Sequence, residues 1–194
     1  MKIYLCRHGQ TTGDIEDRFG GNYDDHLTAE GQQQAQTLAE KLATKGIQIM
    51  YVSPLLRAKE TAEVVQNNCN CVVEFMEDFR ERNSYGILTG LVKAEAQQKY
   101  PDQFELTKDP HNNLEGAEKY EDFCVRLNRA FAEIYNSGFD TVAIVTHGGP
   151  IRVFFREIQK LGEIKIADCA FALLEKTPDS LKVIELDGIQ LEAK

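Results

Sequence analysis

No apolar run in this 194-residue chain approaches the roughly 18 residues of a membrane span. No basic block or interleaving of aromatic and basic residues offsets the net charge of -9, so nucleic acid and anionic membranes are not expected as partners. The opening "MKIYLCRHG" is too short, and charged too soon, for a signal peptide. These absences predict a cytoplasmic protein. Five cysteines (Cys6, Cys69, Cys71, Cys124 and Cys169) are an odd number, which argues against a disulfide framework. Cys69 and Cys71 lack the second pair or nearby histidine that would complete a zinc site, so structural thiols are expected and no metal. No low-complexity tract, internal repeat or Pro/Gly-rich linker divides the chain, which predicts one domain over residues 1–194.

What is present alternates between strand and helix patterns. Ile3–Leu5 reads as a short apolar strand. "TAEGQQQAQTLAEKLATKG" follows as a helix, with Thr28 as N-cap, Gly46 as stop, and Ala35, Leu38, Ala39 and Leu42 on one face. "IQIMYV" predicts a second strand. In "SPLLRAKETAEVVQ", Ser53 suits an N-cap and Pro54 the first helical position. "CVVEF" is a third strand candidate. Residues 86–117 are polar and irregular, with a helical patch near Lys93–Tyr100, and read as an inserted lid. Phe123, Leu127, Ala130, Phe131 and Ile134 mark a long amphipathic helix, and "TVAIV" a strand buried on both faces. "GGPIRVFFREIQ" restarts a helix, and "CAFALLEK" with "SLKVIEL" predicts a closing hairpin. The fold class expected is α/β: a mostly parallel central sheet between two helical layers, with a lid insertion.

In such sheets ligands bind outside the carboxyl ends of the strands. Three predicted strands end there in reactive residues: the first in Arg7 and His8, the second in the run leading to Arg57, and "AIVT" in His147-Gly148-Gly149. The third candidate leads within a few residues to Glu81. If these strands are neighbours, two arginines, two histidines and a carboxylate meet at one edge. Two guanidinium forks match phosphate oxygens, and backbone N–H groups at Gly148 and Gly149 would face the same anion. A histidine there can attack phosphorus and form a phosphohistidine. A second, held cationic by the bound anion, stabilises the transferring group. A glutamate beside a phosphate dianion keeps a proton for the leaving oxygen. None of this chemistry calls for a metal or cofactor.

The motifs also resemble a family. "RHGQT" at Arg7–Thr11 resembles the signature of the histidine phosphatase superfamily, which includes cofactor-dependent phosphoglycerate mutases. "GNYDDHLTAEGQQQA", "VSPLLRAKETAE", "RERNSYGILTGLVKAE" and "VTHGGPIR" resemble its later motifs, in order. The resemblance implies that His8 is the phosphorylated nucleophile and Glu81 the proton donor. Arg7, Arg57 and His147, with Thr11 and Gly148, would form the phosphate pocket. Tyr85 and Lys93 match substrate-contacting positions, while each also fits ordinary lid surface.

Two positions depart from the family pattern. Asp14 stands where an asparagine is usual, and a carboxylate there would oppose the anion unless it is protonated or turned onto a neighbouring arginine such as Arg18. "ERNSYG" carries one residue more than the usual spacing after the acid, to be absorbed by a bulge. Glu81 also sits among Glu77, Asp78 and Arg80, where a solvated loop charge is the plainer alternative. His26 and His111 are expected as surface residues.

The function expected is metal-independent hydrolysis of a small phosphorylated metabolite. A mutase is the alternative, and a catalytically silent phosphate binder a third reading. The lid has no arginine between Arg82 and Arg126 and carries Glu95, Asp102, Glu105, Asp109 and Glu115, which favours a substrate with few negative charges.

Overall fold

The computed structural model describes residues 1–109 and 114–192. Its centre is a six-stranded sheet: β1 (Lys2–Arg7), β2 (Ile49–Val52), β3 (Val72–Phe75), β4 (Thr141–Thr146), β5 (Ile164–Lys176) and β6 (Leu181–Leu191). The spatial order is β3-β2-β4-β1-β5-β6. The first four strands pair in parallel, and β5 and β6 close the sheet antiparallel, as the hairpin pattern predicts. "TVAIV" lies in the interior of the sheet, between β2 and β1, which is why Val142, Ala143, Ile144 and Val145 are all apolar.

Strand alternation sorts the core into two layers. Ile3, Leu5, Ile49, Tyr51, Val142 and Ile144 face one side. There they meet Phe123, Leu127, Ala130, Phe131 and Ile134 of helix Tyr120–Tyr135. Tyr4, Cys6, Met50, Val52, Ala143 and Val145 face the other, against helices Ala29–Leu42 and Leu56–Cys69. The period of two along each strand thus meets the helical period on both faces. Each fully buried phenylalanine, such as Phe79, Phe131 and Phe154, contributes about 2–3 kcal/mol by removal from water.

In chain order the helices are α1 (Thr12–Ile15), α2 (Ala29–Leu42), α3 (Leu56–Cys69), α4 (Lys93–Lys99), α5 (Pro101–Leu106), α6 (Tyr120–Tyr135) and α7 (Gly148–Val153). α7 runs on into a π-helical turn, Phe154–Ile158. Thr28 caps α2 as expected, its hydroxyl accepting from the Gly31 N–H at 2.9 Å. α2 stops at Leu42, a turn before Gly46, which takes a left-handed φ of 70° further along.

The reading of Ser53 and Pro54 as helix start is corrected. α3 begins at Leu56 after an extended Leu55, and the Asp24 carboxylate accepts from the Leu56 N–H at 2.6 Å. β3 is a short, mostly exposed edge strand. β5 begins at Ile164, five residues before "CAFALLEK", because its pairing with β6 is interrupted between Ile166 and Phe171 and resumes beyond.

The segment expected as a lid holds α4 and α5. It has a small core of its own, in which Leu88, Ala96 and Leu114 pack with Phe19.

Candidate active site

β1 and β4 are paired neighbours, so the residues that follow them come out side by side. The His8 N–H donates to the Thr146 carbonyl at 3.0 Å, and the rings of His8 and His147 lie 5.0 Å apart between centroids. His8 Nδ1 is 2.7 Å from the Gly9 carbonyl. A carbonyl only accepts, so Nδ1 carries the proton and Nε2 is left unprotonated. β2, on the other side of β4, is followed by Ser53, whose hydroxyl lies 2.6 Å from His147 Nε2. That contact is what "VSP" encodes here in place of a helix cap.

Arg57 links the two histidines. Its Nε–H lies 3.2 Å from both His8 Nε2 and His147 Nδ1. His147 Nδ1 therefore accepts, Nε2 holds the ring proton, and Ser53 receives it. The Arg57 Nη1 donates to the Tyr23 carbonyl and to Asp25, and Nη2 to the Gly21 carbonyl. The Arg57–Asp25 pair, at 2.9 Å, is buried on both sides, so the guanidinium is fixed before any ligand arrives. Burial, then the Arg57 charge, pushes both histidines well below the usual 6.5. The expected cationic second histidine is thus neutral in the free pocket, and only an anion beside it would change that.

Glu81 reaches the same edge from the loop after β3. Its Oε2 accepts from the Gly149 N–H at 2.9 Å and its Oε1 from the Arg82 N–H at 2.8 Å. The expectation of a solvated loop charge fails on this geometry, and so does that of a Gly149 N–H open to an anion. Within "ERNSYG" the chain makes a tight turn, the Ser84 N–H donating to the Arg82 carbonyl at 2.8 Å. Asn83 stitches that turn to Gly86 and Gly116.

Sequence reasoning missed the residue that holds this loop. Arg126, buried on α6, donates to the carbonyls of Asp78, Arg80 and Glu81 and pairs with Glu118. The available signal was an arginine inside the apolar stripe between Phe123 and Leu127.

Asp168 was missed as well. It pairs with Arg7 at 3.0 Å from the irregular stretch of β5, while Arg7 Nη1 donates to the Ile166 carbonyl. Arg7 Nε is buried and has no hydrogen-bond partner among the described residues. Asp14 does not turn onto Arg18. Its Oδ2 accepts from the N–H and hydroxyl of Thr11 at 2.9 Å each, forming the capping box of α1. Arg18 instead bonds Glu16 and the Gly90 carbonyl.

These groups surround a cavity of about 360 Å³, at the small end of the range of ligand sites. Arg7, His8, Thr11, Arg57, Glu81 and Gly148 line it, as do Asp14, Tyr85 and Lys93. Arg18, Arg82 and Arg152 line it too, although sequence reading gave them no such place. His147 is fully buried behind Arg57. His26 is exposed and paired with Glu60, and His111 lies outside the described residues.

The profile of the histidine phosphatase superfamily, branch 1, matches residues 3–187. The chain is 33% identical over 164 residues to a metal-independent phosphoserine phosphatase of Arabidopsis thaliana, covering 81% of this chain and 68% of the relative. It is 32% identical over 158 residues to the uncharacterized phosphatase PhoE of Bacillus subtilis, covering 80% and 76%. The solved structure of Bacillus stearothermophilus YhfR superposes with a TM-score of 0.85 at 27% identity, covering 94% of each chain. The match spans nearly the whole described sheet, its flanking helices and every strand end of the cavity: the chain belongs to branch 1 of the histidine phosphatase superfamily.

Proposed function

We propose that this chain is a cytoplasmic phosphomonoester hydrolase that works through a phosphohistidine on His8, without a metal ion, on a small phosphorylated metabolite. The observation that carries the reading is His8: with its Nδ1 proton on the Gly9 carbonyl, a neutral ring keeps Nε2 unprotonated on the cavity wall, where the shared Arg57 Nε–H faces it. The cavity also holds an unsatisfied donor, Arg7 Nε–H, which an anion would complete.

Phosphate enters with its oxygens on Arg7, Arg57 and the Gly148 backbone, while the Thr11 N–H and hydroxyl stay on Asp14. His147, neutral and buried behind Arg57, accepts from the Arg57 Nε–H and so helps aim that guanidinium. The Nε2 lone pair attacks phosphorus, the P–O bond to the alcohol breaks, and Glu81 gives its proton to the leaving oxygen. Water then attacks the phosphohistidine, Glu81 takes its proton, the P–N bond breaks and inorganic phosphate leaves. Residues 86–117 act as a lid through Tyr85 at their entry and Lys93 within them.

The test is trapping with a radiolabelled phosphate ester in the presence of a chelator. An acid-labile, base-stable label that disappears in His8→Ala supports the reading. A label that persists in His8→Ala moves the nucleophile elsewhere, and turnover restored only by a divalent metal ends the metal-free mechanism.

The cationic lining, Arg18, Arg82, Lys93 and Arg152, favours the mutase reading as a second choice. Given 3-phosphoglycerate and catalytic 2,3-bisphosphoglycerate, the hydrolase releases free phosphate faster than it forms 2-phosphoglycerate. The reverse outcome selects the mutase.

A further inference from the structure

We propose that Arg152 binds a second anionic group, carboxylate or phosphate, on the alcohol part of the substrate. It would thereby restrict the enzyme to phosphomonoesters of acidic alcohols. The proposal rests on the phosphomonoester reading above.

The chain has nine arginines. Arg7, Arg18, Arg57, Arg80, Arg126, Arg129 and Arg156 each pair with a carboxylate, and Arg82 donates to the Glu118 carbonyl. Arg152 is exposed and has no such partner among the described residues. It nevertheless has a defined place. It sits one turn along α7 from Gly148, and a methyl group on Gly148 would stand 2.7 Å from its Nη1. The guanidinium therefore lies over the glycine, and it lines the cavity while remaining exposed.

A second cavity, about 180 Å³, adjoins the first and shares Glu81, Arg82, Ser84, Gly149 and Arg152 with it. Its other walls are Tyr120, Phe123, Val153 and Arg156. Glu81 marks where the leaving oxygen sits, so the space beyond it from His8 belongs to the alcohol. A carbon skeleton would lie on the aromatic and aliphatic wall and end at Arg152.

The carboxylates that argued for a weakly charged substrate are elsewhere. Glu95, Asp102, Glu105, Asp109 and Glu115 are exposed and line neither cavity. Glu81 is the carboxylate the two cavities share, and two backbone N–H groups already occupy it. The sequence shows how many charges the lid carries, while the fold decides which sign faces the ligand. An arginine fork there takes a carboxylate or a phosphate in two-pronged fashion.

Binding of non-hydrolysable phosphonates to the full chain tests this without turnover. Calorimetry would compare propylphosphonate, 3-phosphonopropionate and propane-1,3-bisphosphonate on wild type, Arg152→Met and Arg152→Lys. Wild type is expected to bind at least one doubly anionic ligand about tenfold tighter than propylphosphonate. Arg152→Met is expected to erase that preference and leave propylphosphonate within about twofold, with Arg152→Lys between. The doubly anionic ligand that loses more identifies carboxylate or phosphate as the natural group. A preference unchanged in Arg152→Met makes the residue a solvated surface charge and overturns the proposal. Equal weakening of all three places Arg152 on the transferring phosphate and overturns it too. If no phosphonate binds wild type, the phosphate-pocket reading itself falls, which is a distinct result.

Discussion

The Gly149 N–H donates to Glu81 Oε2 at 2.9 Å, and a methyl group on Gly149 would stand 2.0 Å from Glu81 Oε1. The carboxyl group therefore rests against a bare backbone, and only glycine permits it.

Gly149→Ala is expected to push Glu81 out of position while the fold survives. If Glu81 is the proton donor, an alkyl phosphate should lose at least about a hundredfold in kcat/KM, the low end of general-acid contributions. A nitrophenyl ester, which needs little protonation, should lose far less. Equal losses on both esters would take Glu81 out of that role.

Ser53 is buried against His147, and its hydroxyl receives the ring proton at 2.6 Å. Ser53→Ala strands a buried N–H and should cost about 1–3 kcal/mol of stability, read as a lower urea midpoint. It also releases the tautomer that leaves Nδ1 accepting from Arg57, so kcat should fall. A variant as stable and active as wild type would show that the contact is incidental.

Stability should decline on mild acidification. Burial and Arg57 push His8 and His147 well below 6.5 in the folded chain, whereas in the unfolded chain they take up protons near that value. Below 6.5 the unfolded state thus binds more protons, and stability, complete above that pH, is lost as pH falls. Each ring contributes up to about 1.4 kcal/mol per pH unit. Urea midpoints between about pH 7 and pH 5 should slope more steeply for wild type than for a His8→Asn, His147→Asn double variant. Parallel slopes would mean that other groups carry the acid response.

Asp14 holds the N–H and hydroxyl of Thr11 through one oxygen, a task an amide oxygen also performs. Asp14→Asn should keep the cap, remove a negative charge from the cavity wall and tighten inhibition by phosphate by about 1 kcal/mol. Asp14→Ala should lose the cap, at about 0.5–2 kcal/mol of stability. Weaker phosphate binding in Asp14→Asn would give the carboxylate a role of its own in the pocket.

By itself the sequence determined the alternation of strands and helices, because periods of two and of 3.6 are local properties that side-chain burial enforces on both faces of a sheet. It determined as well that Arg7, His8, Arg57 and His147 would meet, since each ends or follows a strand and parallel strands end at one edge. Only the tertiary structure decided what holds them there. Arg7 meets Asp168 from an irregular part of β5, Ser53 meets His147 across the sheet, and Arg126 on α6 pins the loop of Glu81. No period or spacing encodes those pairs, because they join residues 161, 94 and 45 positions apart whose meeting depends on strand order and helix placement. The sign of the cavity was decided in the same way. The acids of the lid segment are exposed on its helices and turns, while arginines from α7 and from the loops after β1 and β3 line the space beside His8.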